Sequence, residues 1–184
     1  MEFRRATSND IPAVLEIQAA NFIDNLKPLE RQNGFLSVEF PRTQLEATAE
    51  ELGIIVAIDH GRVVGYLCAS SCAFNRQFTL LARMMEQFDR ITFRGRPLAS
   101  SRLFIYGPVC IDRVYRGRGV LRGLYEALCK EVAGRFDVGV AFVADENPHS
   151  LRAHINSLRM DHVGNFTFAG KDYHILAFEV PVSS

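Results

Sequence analysis

Tyr115-Arg116-Gly117-Arg118-Gly119-Val120 decides the reading of this chain, because of what stands on either side of it. Before it runs Leu103-Phe104-Ile105-Tyr106-Gly107-Pro108-Val109-Cys110-Ile111-Asp112, short, apolar and rich in strand formers. After it, Val120, Leu121, Leu124, Leu128 and Val132 recur at helical spacing. The stretch is therefore a glycine-rich turn between a strand and a helix. Such a turn presents unpaired backbone N–H groups at the positive end of the helix dipole. Gly117 and Gly119 let phosphates approach that backbone closely, and Arg116 and Arg118 add fixed positive charge. The stretch reads as an anion cradle suited to a pyrophosphate.

Three phosphate-binding patterns can be laid against it. No G-x-x-x-x-G-K-[ST] string occurs in the chain, which excludes a P-loop. Gly117, Gly119 and Gly123 give G-x-G-x-x-x-G, one residue too long for a dinucleotide fingerprint, and the turn comes after at least two earlier strands. Arg116-Gly117-Arg118-Gly119-Val120-Leu121 resembles the [QR]-x-x-G-x-[GA] turn of the GNAT superfamily of N-acetyltransferases. Leu121 replaces the last small residue and sets the backbone there slightly farther from a phosphate. A second stretch resembles the same family. Val138 to Ala144 reads as a buried strand, followed by Asp145-Glu146-Asn147-Pro148-His149-Ser150-Leu151-Arg152-Ala153-His154. This is similar to the family's N-x-x-[AS]-x-x-x-Y stretch, with Asn147 and Ser150 in place and His154 where tyrosine is commonest. The usual Gly-Phe that closes the region is missing, and Leu158-Arg159-Met160 lies near its position.

Composition narrows the function classes. Lys and Arg together number 21, as do Asp and Glu, so the formal charge is zero and no basic face points to nucleic acid. No apolar stretch approaches the ~20 residues of a membrane span, and Met1-Glu2-Phe3-Arg4-Arg5 lacks the apolar region of a signal peptide. Cys68, Cys72, Cys110 and Cys129 are scattered in apolar contexts without a zinc-like pair. They read as free buried thiols in a reducing compartment, so a cytoplasmic location and no metal are expected.

Along the chain, Phe3 to Ala6 is a first strand, and Ile11, Val14, Leu15 and Ile17 form the inner face of a helix opened by Asp10 and Pro12. Asn21 to Arg42 reads as irregular, and Thr43 to Leu52 as a second helix ended by Gly53. Ile54 to Ile58 and Val63 to Ala69 are strands joined by the hairpin turn Asp59-His60-Gly61-Arg62. A helical insertion is expected at about 74–102, its helix spanning Gln77 to Phe88 on the spacing of Phe78, Leu81, Met84, Met85 and Phe88, with Arg94-Gly95-Arg96 a solvated charge run. A helix to about Arg135, a short helix over His149 to Leu158, and a closing hairpin of Val163 to Phe168 and Tyr173 to Val180 about Gly170-Lys171-Asp172 complete the pattern. The order is that of an α/β fold (an α+β mixed sheet) with helices on both faces of a central mixed β-sheet. Residues 1–184 read as a single domain, and the resemblance implies that its fold is GNAT-like.

The resemblance further implies acetyl-CoA as acyl donor and direct attack of a primary amine on the thioester. Pro108 inside an apolar strand marks a bulge or unpaired edge. In the family the corresponding strand splays to admit the pantetheine arm, which implies that Val109, Cys110 and Ile111 bind it, the Val109 N–H also facing the thioester carbonyl. Arg116, Gly117, Arg118, Gly119, Val120 and Leu121 would hold the pyrophosphate, and Asn147 and Ser150 the pantetheine side. Glu146 is the candidate base, with Asp145, Asp112 and His149 as further candidates, and His154 the candidate proton donor to the departing thiolate. The acceptor, a small molecule or a peptide amine, would be framed by Asn21 to Arg42 and the Phe166 to Tyr173 turn. A homodimer through the insertion or closing strands is compatible with this. Two other readings compete: an acyl-CoA-binding module without turnover, and an interaction domain that docks a partner on the helix around Met84 and Met85.

Overall fold

A computed structural model describes residues 1–181 of the chain. Its strands hydrogen-bond in the order β1-β2-β3-β6-β7-β9-β8, formed by Glu2–Arg5, Gly53–Asp59, Arg62–Ser71, Leu103–Ile111, Val138–Ala144, Lys171–Glu179 and Asp161–Phe168 respectively. The sheet is mixed: β6 and β7 run parallel, whereas β1–β2, β2–β3, β7–β9 and β8–β9 are antiparallel. The chain divides into two compact units, one of Met1–Ala69 with Gly107–Glu131, the other of Ser70–Tyr106 with the chain from Val132 onward.

In the first unit the helices are α1 (Ile11–Asn21), α2 (Pro28–Arg31), α3 (Arg42–Glu51) and most of α6 (Val120–Val132). Cross-strand register tells which face each helix covers, since directly opposed residues point to the same side. Phe3 opposes Ala57 and Ala57 opposes Gly65, so these three share a face. Helix α6 lies on it, with Val120 against Gly65 and Gly123 against the Phe3 ring. Ile54, Val56, Tyr66 and Cys68 point the other way and bury with Ile11, Val14 and Ile17 of α1 and Leu45 of α3. The expected covering of both sheet faces holds here. Deep burial of each such side chain contributes about 1.5–3 kcal/mol.

In the second unit β7 and β9 lie between β6 and β8. The segment expected to be a helical insertion is more varied than its spacing suggests. It contains α4 (Cys72–Asn75), α5 (Thr79–Met85) and a small hairpin of β4 (Thr92–Phe93) and β5 (Arg96–Pro97). The expected helix over Gln77 to Phe88 is thus shorter. Met84, Phe88, Ile91, Phe93 and Leu98 bury against Ile105, Val138, Val140, Phe166 and Ile175. Met84 and Phe88 are buried and Leu81 and Met85 pack partly buried on the same core, so the stripe serves the interior of this unit. On the opposite face of β7, rings follow one another from Phe136 to Phe104, Phe178, Tyr106 and His154.

Three hairpins share one turn chemistry. His60-Gly61, Arg94-Gly95 and Ala169-Gly170 each join their strands through two residues of positive φ, at 47° and 77°, 51° and 78°, and 50° and 76°. Both positions positive is the two-residue turn whose twist matches that of the flanking strands, and glycine fills its second place without strain. The closing turn falls at Ala169-Gly170, just before the expected Gly170-Lys171-Asp172. The Arg94-Gly95-Arg96 run is exposed, as expected of solvated charge, and also forms the turn of the β4–β5 hairpin. All four cysteines are free, and burial raises the pKa of each thiol, that of Cys110 to about 12 and that of Cys129 to about 11.

Candidate functional site

The glycine turn lies in the first unit, between β6 and α6. The β6–β7 ladder comprises Leu103–Ile105 against Val138–Val140. After it, Gly107 takes a φ of 107°, and Pro108, joined to it by a cis peptide, has no N–H to offer a ladder. Val109 and Ile111 are half-buried and Cys110 is buried against the α1 side of the sheet. The strand ends where Asp112 N–H donates to the Val64 carbonyl at 2.9 Å. Asp112 then caps a short 3-10 turn: its Oδ1 accepts from Val114 N–H at 3.3 Å while its Oδ2 accepts from Arg62 at 2.8 Å. The caps and ion pair occupy this carboxylate, one of the sequence's candidate bases, with structural work.

Gly117 and Gly119 both have positive φ, 73° and 82°, and a β-carbon at either would meet no atom within 4 Å. The glycines are therefore demanded by backbone conformation, and the space over the turn is open. Helix α6 begins immediately at Val120, so its first N–H groups, which have no partner within the helix, belong to this turn. Arg118 is exposed, its guanidinium over the Tyr115 ring at 5.6 Å from the centroid. Gly123, part of the glycine spacing, serves packing instead, because the Phe3 ring fills the place of its missing side chain.

Arg116 corrects the sequence reading. Its guanidinium was expected to face phosphate, but its donors turn into the chain. Nε donates to the Ile111 carbonyl at 3.3 Å, Nη1 to the Asn33 carbonyl, and Nη2 to the Asn21 side-chain oxygen. Burial lowers its pKa from the ordinary value, as desolvation disfavours the charged form. The planar fork spends its hydrogen bonds on protein acceptors, and the Arg116 N–H donates to the Arg113 carbonyl at 3.3 Å.

The remaining candidates lie in the second unit, on and after the end of β7. Glu146 is exposed, its Oε2 3.1 Å from Lys171 Nζ. Asp145 pairs with His174, whose Nε2 is 3.0 Å from Oδ1. Asn147 is buried and caps α7 (Pro148–Arg152), its Oδ1 accepting from Ser150 N–H at 3.3 Å. His154 is buried in the π-turn Ala153–Ser157 that continues α7, where a single helix was expected. Its Nδ1 lies 2.8 Å from the Ser150 carbonyl and 3.3 Å from Ser150 Oγ. A carbonyl only accepts, so Nδ1 carries the proton of the neutral ring and Nε2 the lone pair. Burial lowers the His154 pKa, outweighing the opposing effect of the Ser150 carbonyl. The structure thus brings Asn147, Ser150 and His154 together in one turn and places Glu146 next to it, paired to β9.

Sequence reading missed three participants. Asn21 and Asn33, the acceptors of Arg116, and Glu30, which accepts from Arg113 at 2.6 Å, lie in the segment read as irregular. Nothing local marks the asparagines; Lys27-Pro28-Leu29-Glu30, with proline at the first helical position and glutamate at the third, does mark α2. Among the described residues no three of His, Cys, Asp or Glu gather to hold a metal ion, and no helix is long and apolar enough to cross a membrane.

No protein-family model and no curated protein matches this chain. Solved structures do match along nearly its whole length. An acetyltransferase of the GNAT family from Streptococcus agalactiae has a TM-score of 0.69 at 15% identity, covering 99% of this chain and 96% of its own. A ribosomal-protein-alanine N-acetyltransferase from Brucella melitensis has a TM-score of 0.64 at 19% identity, with coverage of 97% and 99%. A GNAT superfamily phosphinothricin acetyltransferase from Sinorhizobium meliloti, solved in complex with acetyl-CoA, has a TM-score of 0.63 at 18% identity, with coverage of 97% and 88%.

Proposed function

We propose that this chain, whose fold is that of the GNAT acetyltransferases, is an acetyl-CoA-dependent N-acetyltransferase acting on a primary amine. The observation that carries the reading is the turn of Gly117 and Gly119, both at positive φ and both open, leading directly into α6. Structural neighbours that bind acetyl-CoA support the choice of ligand. In this reading the N–H groups of residues 117–121 hold the pyrophosphate, and Arg118 adds a charge-assisted contact. Val109, Cys110 and Ile111 offer backbone groups to the pantetheine arm, the Val109 N–H stabilising charge on the thioester oxygen. Asn147 and Ser150 contribute on the pantetheine side, and Glu146 removes the amine proton. The protein works in the cytoplasm without metal, on a small-molecule or peptide amine. Neighbours named for such different acceptors as a ribosomal-protein alanine and phosphinothricin support leaving the acceptor at that class.

Proton donation by His154 to the departing thiolate needs a proton on Nε2, whereas the neutral ring holds its proton on Nδ1 against Ser150. This favours a second reading, an acyl-CoA-binding module that does not turn over. Calorimetric titration with acetyl-CoA, with desulfo-CoA and NADH as controls, followed by an amine screen, tests both. Micromolar binding of acetyl-CoA but not NADH, with acetylation of an amine, is the expected result. Binding without turnover on any amine selects the second reading, and no binding removes both.

A further inference from the structure

We infer that Arg116 is a positioning residue: its guanidinium is the internal strut of a closed loop, and it couples the order of that loop to the glycine turn. The inference rests on the acetyltransferase reading only where it speaks of substrate. The loop spans Asn21 to Leu36, and its two ends are joined by backbone. Leu36 N–H donates to the Asn21 carbonyl at 2.8 Å, and Ile23 N–H donates to the Leu36 carbonyl at 2.9 Å. A compact surface loop with closed ends needs contents of its own to stay ordered. This one has few: Leu26 and Leu36 are its buried apolar residues, while Leu29 is 77% exposed.

Arg116 supplies what those side chains do not. One arm of the fork reaches Asn21 at the loop's beginning, another the Asn33 carbonyl near its end, and Nε the Ile111 carbonyl of β6. Asn21 is itself held, donating from Nδ2 to the Ile17 carbonyl at 2.7 Å and only 2% exposed. The Arg113–Glu30 pair fastens the middle of the loop to the turn preceding Arg116. The planar fork is what allows three acceptors in different directions to be met from one side chain; an ammonium is a point donor on a flexible stem.

The consequence follows from the chain itself. Arg116 immediately precedes Gly117, so an anion that fixes the N–H groups of the glycine turn also fixes the Cα from which the strut projects. Occupancy of the turn therefore tightens the loop, and by reciprocity a loosened loop weakens anion binding by that same coupling, while the turn's own N–H groups stay in place. On the acetyltransferase reading, Arg116 acts on the second substrate through the loop more than on acetyl-CoA.

Amide hydrogen exchange of the full chain tests this, comparing wild type with Arg116→Ala and Arg116→Lys. The strut predicts that exchange of the Ile23 and Leu36 amides accelerates about tenfold or more in both variants, since lysine keeps the charge but not the fork. It predicts that saturating acetyl-CoA slows those amides in wild type only. In kinetics, the acceptor KM rises in both variants while affinity for acetyl-CoA changes less than in Arg118→Ala. Unchanged exchange in Arg116→Ala overturns the inference. So does full rescue by lysine, or a loss of acetyl-CoA affinity as great as that of Arg118→Ala without any loosening of the loop. Should the wild type bind no acetyl-CoA, the acetyltransferase reading fails while exchange in the unliganded variants still decides the strut. Global unfolding by Arg116→Ala is separated by Asn21→Ala, which removes one acceptor and should accelerate the same two amides alone.

Discussion

The ring of Phe178 occupies the space in which a β-carbon on Gly139 would stand, its Cζ only 2.2 Å from that point. Phe104 closes the other side at 2.8 Å, and both rings are buried. A single methyl group at this place in β7 must displace two close-packed aromatic rings that also pack edge-on against each other. Gly139→Ala should therefore destabilise the fold by about 1–3 kcal/mol. Phe178→Leu in the same chain should recover part of the loss. Urea denaturation of the single and double variants measures it, and strict additivity would mean the rings do not confront the added carbon.

His154 predicts a pH dependence of stability. Its folded pKa is below the ordinary value of 6.5 because burial disfavours the charged ring. As pH falls through about 6.5 the unfolded chain takes up the proton first, so the folded state loses stability from there down to the folded pKa. Stability from this group thus rises with pH across that window. The slope of Tm against pH between about 7.5 and 5.5 should flatten in His154→Gln, whatever the variant's absolute Tm. An unchanged slope would mean that the ring is protonated as readily in the fold as outside it.

The cradle predicts separable effects of charge and backbone. Arg118→Ala should weaken acetyl-CoA binding by roughly 1–2 kcal/mol, and the loss should shrink at high salt because the guanidinium is exposed. Gly119→Val should abolish binding, since φ of 82° strains any β-branched residue and its side chain would fill the open space over the turn. Calorimetry on both variants is the check. Normal binding by Gly119→Val would place the phosphates elsewhere.

Glu146 is exposed and paired to Lys171 across the end of β7. If it takes the proton of the amine, Glu146→Gln should lower kcat/KM by roughly a hundredfold at neutral pH while leaving acetyl-CoA affinity intact. A variant with the wild-type kcat/KM would take Glu146 out of the chemistry.

What was legible in the sequence depended on local signals. The turn from Arg116 to Leu121 lies between strand and helix as its glycines and flanking periodicities imply, and His60-Gly61 makes the expected hairpin. Arg94-Gly95 forms the same two-residue turn, but its strands are only two residues each, too short to show an alternating pattern beside it. The helix of the insertion is shorter than its spacing implies because Phe78 and Phe88 fit the helical period while lying outside the helix, Phe78 as its N-cap and Phe88 in the core beyond its end. The role of Arg116 could not be read at all. Its partners Asn33 and Asn21 lie 83 and 95 positions away, and asparagine in an irregular segment gives no sign of whom it will meet. Likewise the neutrality of His154 comes from burial, a property of the folded surroundings and not of the residue.

The four cysteines turn the molecule into its own unfolding reporter. A thiol attacks only as the thiolate, and burial pushes each of these thiols toward the protonated form while shutting out reagents. At neutral pH a chromophoric disulfide reagent therefore meets sulfur chiefly when the fold opens. Cys72, the less buried one at the start of α4, samples local opening there, while Cys68 and Cys110, within the core of the first unit, wait for larger excursions. The spread of their modification rates is a clock of the protein's own motions, legible in a cuvette without labels or mutations.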